Sequence, residues 1–199
     1  AAGKADGLKV LEHHGVFKPI TRAEGKGLKR VDTTWVITQS RDMAAQGKVK
    51  CRITGRDYKW QSPGREDVYA PMSQPCANRV VDYYSMKMDD DANDPMVVFE
   101  VDLSGAYYQT PQDEDLAVEP CEEWKAARRA AGLPDDMLWR LLKQLPGQRG
   151  AGNRFLEHVR LTFLERFDLQ RFAALPNFYR RVDSTILIDT HMDDWFGTG

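Results

Sequence analysis

Cysteine is scarce: Cys51, Cys76 and Cys121 are the only three in 199 residues, and no two form a CxxC pair. An odd, scattered set argues against a disulfide framework and against a structural zinc site. No stretch reaches the roughly 18 uninterrupted apolar residues of a membrane span, and Ala1 to Val10 holds no apolar signal-peptide core. A cytoplasmic or nuclear protein with no membrane span is therefore the expectation. Internal repeats and low-complexity segments are missing too, which excludes collagenous, mucin-like and wholly disordered chains. What remains, 42% hydrophobic and 29% charged, is the composition of a globular protein able to bury a core. The length suits one domain, or one domain with two lobes.

A surplus of one charge sign is also missing, with 28 Lys and Arg against 30 Asp and Glu. The distribution is uneven nonetheless. Residues 1–60 carry 13 Lys and Arg against 6 Asp and Glu, whereas residues 61–199 carry 15 against 24. A basic part followed by an acidic one suits a polyanion held by the first and cations, such as metal ions, held by the second. Two solvated faces with no such role are the plain alternative.

Leu8 and Leu11 before Gly15 predict a short helix from Ala5 to His14. The β-branched and aromatic runs Thr33 to Thr38 and Lys48 to Thr54 predict a hairpin, with Asp42 to Gly47 as its loop. Lys48, Lys50 and Arg52 fall on one face of its second strand, because strand side chains alternate. Residues 57–74 read as an ordered connection, Pro75 to Met88 as a helix, and Asp89 to Pro95 as an acidic loop. Met96 to Asp102 is a mostly apolar strand that ends on a carboxylate. A helix over Glu122 to Ala131, a strand over Met137 to Leu142 and an amphipathic helix over Gly152 to Phe167 follow. The tail reads as Phe178 to Arg181, then a hairpin of Thr185 to Thr190 and Trp195 to Gly197 around the turn His191-Met192-Asp193-Asp194.

Two places carry the chemistry: the strand ending at Asp102, and the hairpin tip with Asp193 and Asp194. In each, an apolar strand delivers a carboxylate to its end, where unpaired negative charge is costly unless a cation compensates it. Three carboxylates from neighbouring strands are a donor set for hard, oxygen-seeking Mg²⁺. Two such ions about 3.5–4 Å apart can activate a 3′-hydroxyl and stabilise a leaving pyrophosphate.

Seven segments in order extend this reading along the chain. They are Thr34-Trp35-Val36, Lys50 to Arg56, Gly64 to Met72, Phe99 to Tyr107, Val118-Glu119-Pro120 with Glu123-Trp124, Leu141 to Ala151, and His191-Met192-Asp193-Asp194. Together, from about Leu11 to Gly199, they resemble the fingers and palm of a reverse transcriptase, most closely the RNA-directed DNA polymerase of copia-type retrotransposons. The resemblance implies an α+β fold: a fingers-like lobe over 1–95 built on the basic hairpin, and a palm-like lobe over 96–199. The palm's small antiparallel sheet would be backed by helices, with the thumb absent. It implies a nucleotidyltransferase in which Asp102, Asp193 and Asp194 hold two Mg²⁺ ions, replaceable by Mn²⁺, assisted by main-chain groups at Leu103. Lys50 and Arg52 would meet a nucleoside triphosphate, Tyr107 would gate against a ribose 2′-hydroxyl, and Arg149 would position the templating base or nucleotide. The implied partners are an RNA or DNA template-primer and dNTP.

The residues also admit plainer roles. Asp102 could cap a helix over Ser104 to Tyr108, Tyr107 could be a core aromatic, Lys50 and Arg52 a solvated strand face, and Asp193-Asp194 a polar turn. His13, His14 and His158 suit a helix end and a surface. This chain has His191-Met192, Asp57-Tyr58, Pro146 and Gly152 where the family has Tyr-Val, Gly-Phe, Tyr and Pro. A second reading is therefore a catalytically inactive, polymerase-derived domain that serves as a structural or binding subunit of a larger assembly. A third is a single-stranded nucleic-acid module that stacks bases on Trp35, Tyr58 and Trp60.

Overall fold

The computed structural model describes residues 2–39, 41–59, 63–88, 95–182 and 186–199. Trp60, the acidic loop from Asp89 to Asp94, and Thr185 lie outside them. The chain forms two compact units, and each is discontinuous: the first is 1–65 with 107–151, the second 66–106 with 152–199. They interleave along the chain, whereas the expected lobes are the halves 1–95 and 96–199. The class is α+β, with two mostly antiparallel sheets backed by helices. Among the described residues no helix is long and apolar enough to cross a membrane.

In the first unit, helix α1 (Ala2–His13) precedes strands β1 (Phe17–Thr21) and β2 (Lys29–Thr38). Helix α2 (Arg41–Ala45) and strand β3 (Lys50–Arg56) complete its N-terminal part. Strand β5 (Leu116–Val118), helix α4 (Glu122–Ala130) and strand β6 (Met137–Leu141) complete its sheet, in the order β1-β6-β5-β2-β3. The expected hairpin is present as β2 and β3, paired from Asp32↔Arg56 to Thr38↔Lys50, with the short helix α2 in its loop. One face of the sheet packs Val31, Ile53, Leu116, Val118 and Trp139 under Leu11 of α1 and Trp124 of α4. Phe17 stacks on Trp139 with ring centroids 4.0 Å apart. Helix α1 starts earlier than its leucine spacing predicts. Gly3 and Gly7, poor helix formers, lie where a Cβ would come within 2.5 Å of the Val49 carbonyl and 2.6 Å of the Cys51 carbonyl. Close packing on β3 overrides their low propensity.

The second unit holds helix α3 (Pro75–Met88), strand β4 (Val98–Asp102), helix α5 (Ala151–Phe167), whose first residue belongs to the first unit, and strands β7 (Leu169–Arg171), β8 (Phe178–Arg181), β9 (Leu187–His191) and β10 (Asp194–Thr198). Its sheet is antiparallel throughout, in the order β4-β10-β9-β8-β7. Both faces are covered. Ala77 and Val81 of α3 meet Phe178, Leu187 and Phe196 on one, while Phe163 of α5 meets Tyr179 and Trp195 edge-on across the other. Gly197 has its reason here, since a Cβ would fall 2.4 Å from the Phe99 ring on the opposing strand.

A second backbone approach closes the first unit. Gly147 has φ +87°, and a Cβ on it would sit 2.3 Å from the Gly55 carbonyl, while the Gly55 N–H donates to the Pro146 carbonyl at 2.7 Å. Left-handed backbone and backbone contact both exclude a side chain. Gly147→Ala is expected to cost about 2–3 kcal/mol of stability. Urea unfolding measures it, and a change below about 0.5 kcal/mol would contradict this account.

Candidate functional site

Strand register decides which of the expected residues meet. Strands β4 and β10 are antiparallel neighbours, and Asp194 pairs with Asp102 directly across the ladder. Opposed residues point to the same face, with Cα atoms about 4.5–5.5 Å apart. On the other side of β10, Asp194 pairs with His191 of β9, so Asp102, Asp194 and His191 form one cross-strand row. Met192 and Asp193 make the two-residue turn between β9 and β10. The Leu103 N–H donates to the Asp193 carbonyl at 2.8 Å, and the Trp195 indole N–H donates to the Met192 carbonyl at 3.1 Å. Asp102 thus ends a strand and does not cap a regular helix: a 3₁₀ turn (Ala106–Gln109) begins only four residues later.

The turn is strained. Met192 has φ +55°, while Asp193 has no positive φ, the pattern of a type II′ hairpin that normally takes glycine first. A non-glycine residue there costs of order 1–3 kcal/mol and is typical of functional sites. Near it, a Cβ on Gly152 at the start of α5 would stand 3.4 Å from Met192 Cε and 3.2 Å from Ala70 Cβ. Glycine at this helix start leaves room for the longer methionine.

One step along the same face lies a second row, Glu100 of β4, Phe196 of β10 and Asp189 of β9. Between this face and α3 runs a cleft of about 870 Å³, lined by Ser73, Pro75, Asn78 and Asp82 on one wall and both rows on the other. Asp189 is the most unusual group in it. The residue is only 3% exposed, Ser73 Oγ donates to its Oδ2, and Oδ1 is buried with no hydrogen-bond partner. Asn177 holds the loop that brings Ser73 there, donating to the Pro71 carbonyl at 2.8 Å while its own carbonyl accepts from Thr190 N–H and Oγ1. Burial pushes the Asp189 carboxyl above its ordinary 3.8, against the opposing pulls of the Ser73 bond and the His191 charge.

The donors at the hairpin tip suit a hard divalent cation, being carboxylate oxygens. Among the described residues, however, no three His, Cys, Asp or Glu side chains are grouped closely enough to hold a metal ion. The backbone supplies an opposed pair, Asp102 and Asp194, with Asp193 beside it on the turn.

The expected nucleotide-contacting residues all belong to the first unit. Lys50 and Arg52 lie exposed on the outward face of β3, alternating with buried Cys51 and Ile53. Among the described residues neither makes an ion pair. Arg149 is half-buried, and its backbone N–H donates to buried Asp57 at 3.2 Å, while Asp57 also receives the Lys29 ammonium at 3.0 Å. Tyr107 is half-buried against the unit's aromatic and aliphatic core. The three cysteines are free thiols.

No known protein family matches this chain, and no curated protein matches it at a significant level. Sequence reasoning overlooked Asp189 and Glu100. A signal existed: Asp189 is the one acid within Leu187-Ile188-Asp189-Thr190, on the same strand face as His191.

The raised Asp189 carboxyl fixes a pH dependence. A proton bound more tightly by the folded than the unfolded chain contributes stability below the ordinary aspartate pKa, and that contribution disappears as pH rises through the folded value. Asp189→Asn should therefore melt about 2–4 °C above the native chain at pH 7, corresponding to about 1 kcal/mol, with the gap closing as pH falls to 4. Calorimetry across that range checks it; a gap that does not vary with pH would contradict it.

Proposed function

We propose that this chain is a nucleotidyltransferase of the RNA-directed DNA polymerase class, with Asp102, Asp193 and Asp194 as its catalytic carboxylates. The observation that supports this best is the pairing of Asp194 with Asp102 at one end of an otherwise well-covered sheet. Like charges directly opposed on a ladder are destabilising, so this arrangement is not there for stability. When bound between these side chains, Mg²⁺ or Mn²⁺ would activate a primer 3′-hydroxyl and neutralise charge on the leaving pyrophosphate. The protein's own part is positional. The Leu103 N–H fixes the Asp193 carbonyl, Trp195 fixes Met192, and the tight turn holds Asp193 beside the pair. On the first unit, Lys50 offers a point charge and Arg52 a bidentate fork to phosphate oxygens.

A second reading is favoured by the lack of a three-ligand set among the described residues and by the imidazole of His191 beside Asp194. In it, the domain no longer catalyses and is a binding subunit of a larger assembly.

Primer extension with a template-primer, dNTP and Mg²⁺ separates the two. The polymerase reading expects metal-dependent extension that falls at least about a hundredfold in Asp102→Asn and in Asp193→Asn. Equal extension by native and substituted chains would overturn it, and no extension by native chain would favour the second reading. Independently, Arg52→Ala should weaken oligonucleotide binding severalfold and flatten its salt dependence. An unchanged salt slope would remove Arg52 from the phosphate contacts.

A further inference from the structure

The cleft between α3 and the sheet of the second unit is lined by five carboxylates, Asp82, Glu100, Asp102, Asp189 and Asp194, and by no lysine or arginine. Among the described residues none of the five is in an ion pair. Acidity alone would say only that the face is solvated. Asp189 says more: the residue lines the cleft, its Oδ1 is buried and unpartnered, and a buried acceptor left unmade costs roughly 1–3 kcal/mol. For a carboxylate oxygen, the strongest partner is a donor that carries positive charge.

The layout selects the shape of that donor. The carboxylates are not gathered at a point, since no three of them form a metal-holding group among the described residues. They stand on a ladder. Glu100 lies two residues before Asp102 on one strand, roughly 7 Å away, and Glu100 and Asp189 flank Phe196 from the two neighbouring strands, about 10 Å apart. Asp82 lies on the helix side with Pro75 and Asn78. Charged positions are thus separated by apolar surface from Pro75, Val101 and Phe196, and the volume of about 870 Å³ is within the range of small-molecule sites. A point cation can satisfy one pair of these groups; a chain of ammonium groups joined by short alkyl segments can satisfy several while its methylenes cover Phe196.

We infer that this cleft binds an elongated organic cation of the linear polyamine class, with one ammonium donating to Asp189 Oδ1 and others meeting Glu100 and Asp82. The inference does not rest on the polymerase reading, in which Asp82, Glu100 and Asp189 take no part.

Isothermal titration of the full chain with spermidine at low ionic strength tests it. Saturable binding is expected, weakened at least about tenfold by Asp189→Asn and severalfold by Glu100→Gln and by Asp82→Asn, and unchanged by Asp135→Asn in the other unit. Circular dichroism establishes that each variant is folded. Should Asp189→Asn fail to fold, the two exposed positions, Glu100 and Asp82, carry the test. No saturable heat, equal affinity in the folded cleft variants, or the same Asp189-dependent heat with MgCl₂ in place of spermidine would overturn it.

Discussion

Asp102 and Asp194 face each other across the β4 and β10 ladder, and everything around them holds that repulsive pair in place. A sheet chosen for stability alone would put opposite charges or a β-branched pair there. Here the ladder is kept by other means. Phe99 fills the space over Gly197, α3 and α5 cover the two faces, and backbone bonds tie Leu103 to Asp193 and extend the pairing to Val97 and Gly199. The strained φ of Met192 points the same way. Burial elsewhere in the unit offsets two local costs, a like-charge pair and a left-handed methionine, within four residues of each other. Costs concentrated in this manner are typical of functional sites.

The legible parts of the fold were those with strong local signals. The hairpin of β2 and β3, helices α3, α4 and α5, strand β6 and the tail hairpin all lie within a few residues of where periodicity, proline and glycine put them. Strands β5 and β7, of three residues each, were not legible, because too few residues alternate to register a period. Strand β1 contains Pro19 and reads poorly as a strand. The start of α1 was hidden because tertiary contact at Gly3 and Gly7 outweighs propensity. Interleaving of the two units was the largest loss: the chain crosses between them after Arg65, Ala106 and Ala151, at short glycine-containing stretches that do not differ in composition from turns within one unit such as Gly25 to Gly27. At the site, Asp102, Asp193 and Asp194 could be named because apolar strands lead to them, whereas Asp189 is significant only through a missing hydrogen bond that no sequence displays.

Charge follows the units more closely than it follows the sequence halves. The first unit holds 20 Lys and Arg against 14 Asp and Glu, the second 8 against 16, surpluses of +6 and −8. Many cations of the first are already engaged. Arg22 meets Glu119 and Asp136, Lys125 meets Glu119, Arg129 meets Glu122 and Asp135, and Arg140 meets Asp115. Lys50 and Arg52 on the β3 face stand outside these pairs, which is what makes that face, and not the unit's total charge, the place to look for phosphate. In the second unit, Arg154 and Arg160 neutralise Asp67 and Glu157, well away in sequence from the cleft carboxylates.

The two rows of that cleft therefore make different demands on a cation. Asp102 and Asp194 are both exposed and directly opposed, so a compact divalent ion between them would relieve their repulsion at small desolvation cost. Asp189 is buried, with its carboxyl raised by that burial, so its charge is costly there and a donor reaching Oδ1 would lower that cost. A strongly hydrated divalent ion would have to shed its water to enter there. An ammonium sheds fewer waters and brings N–H groups that match the unpartnered oxygen. The two rows of the same negative face thus differ in what they ask of a cation, because burial differs over two residues of β9.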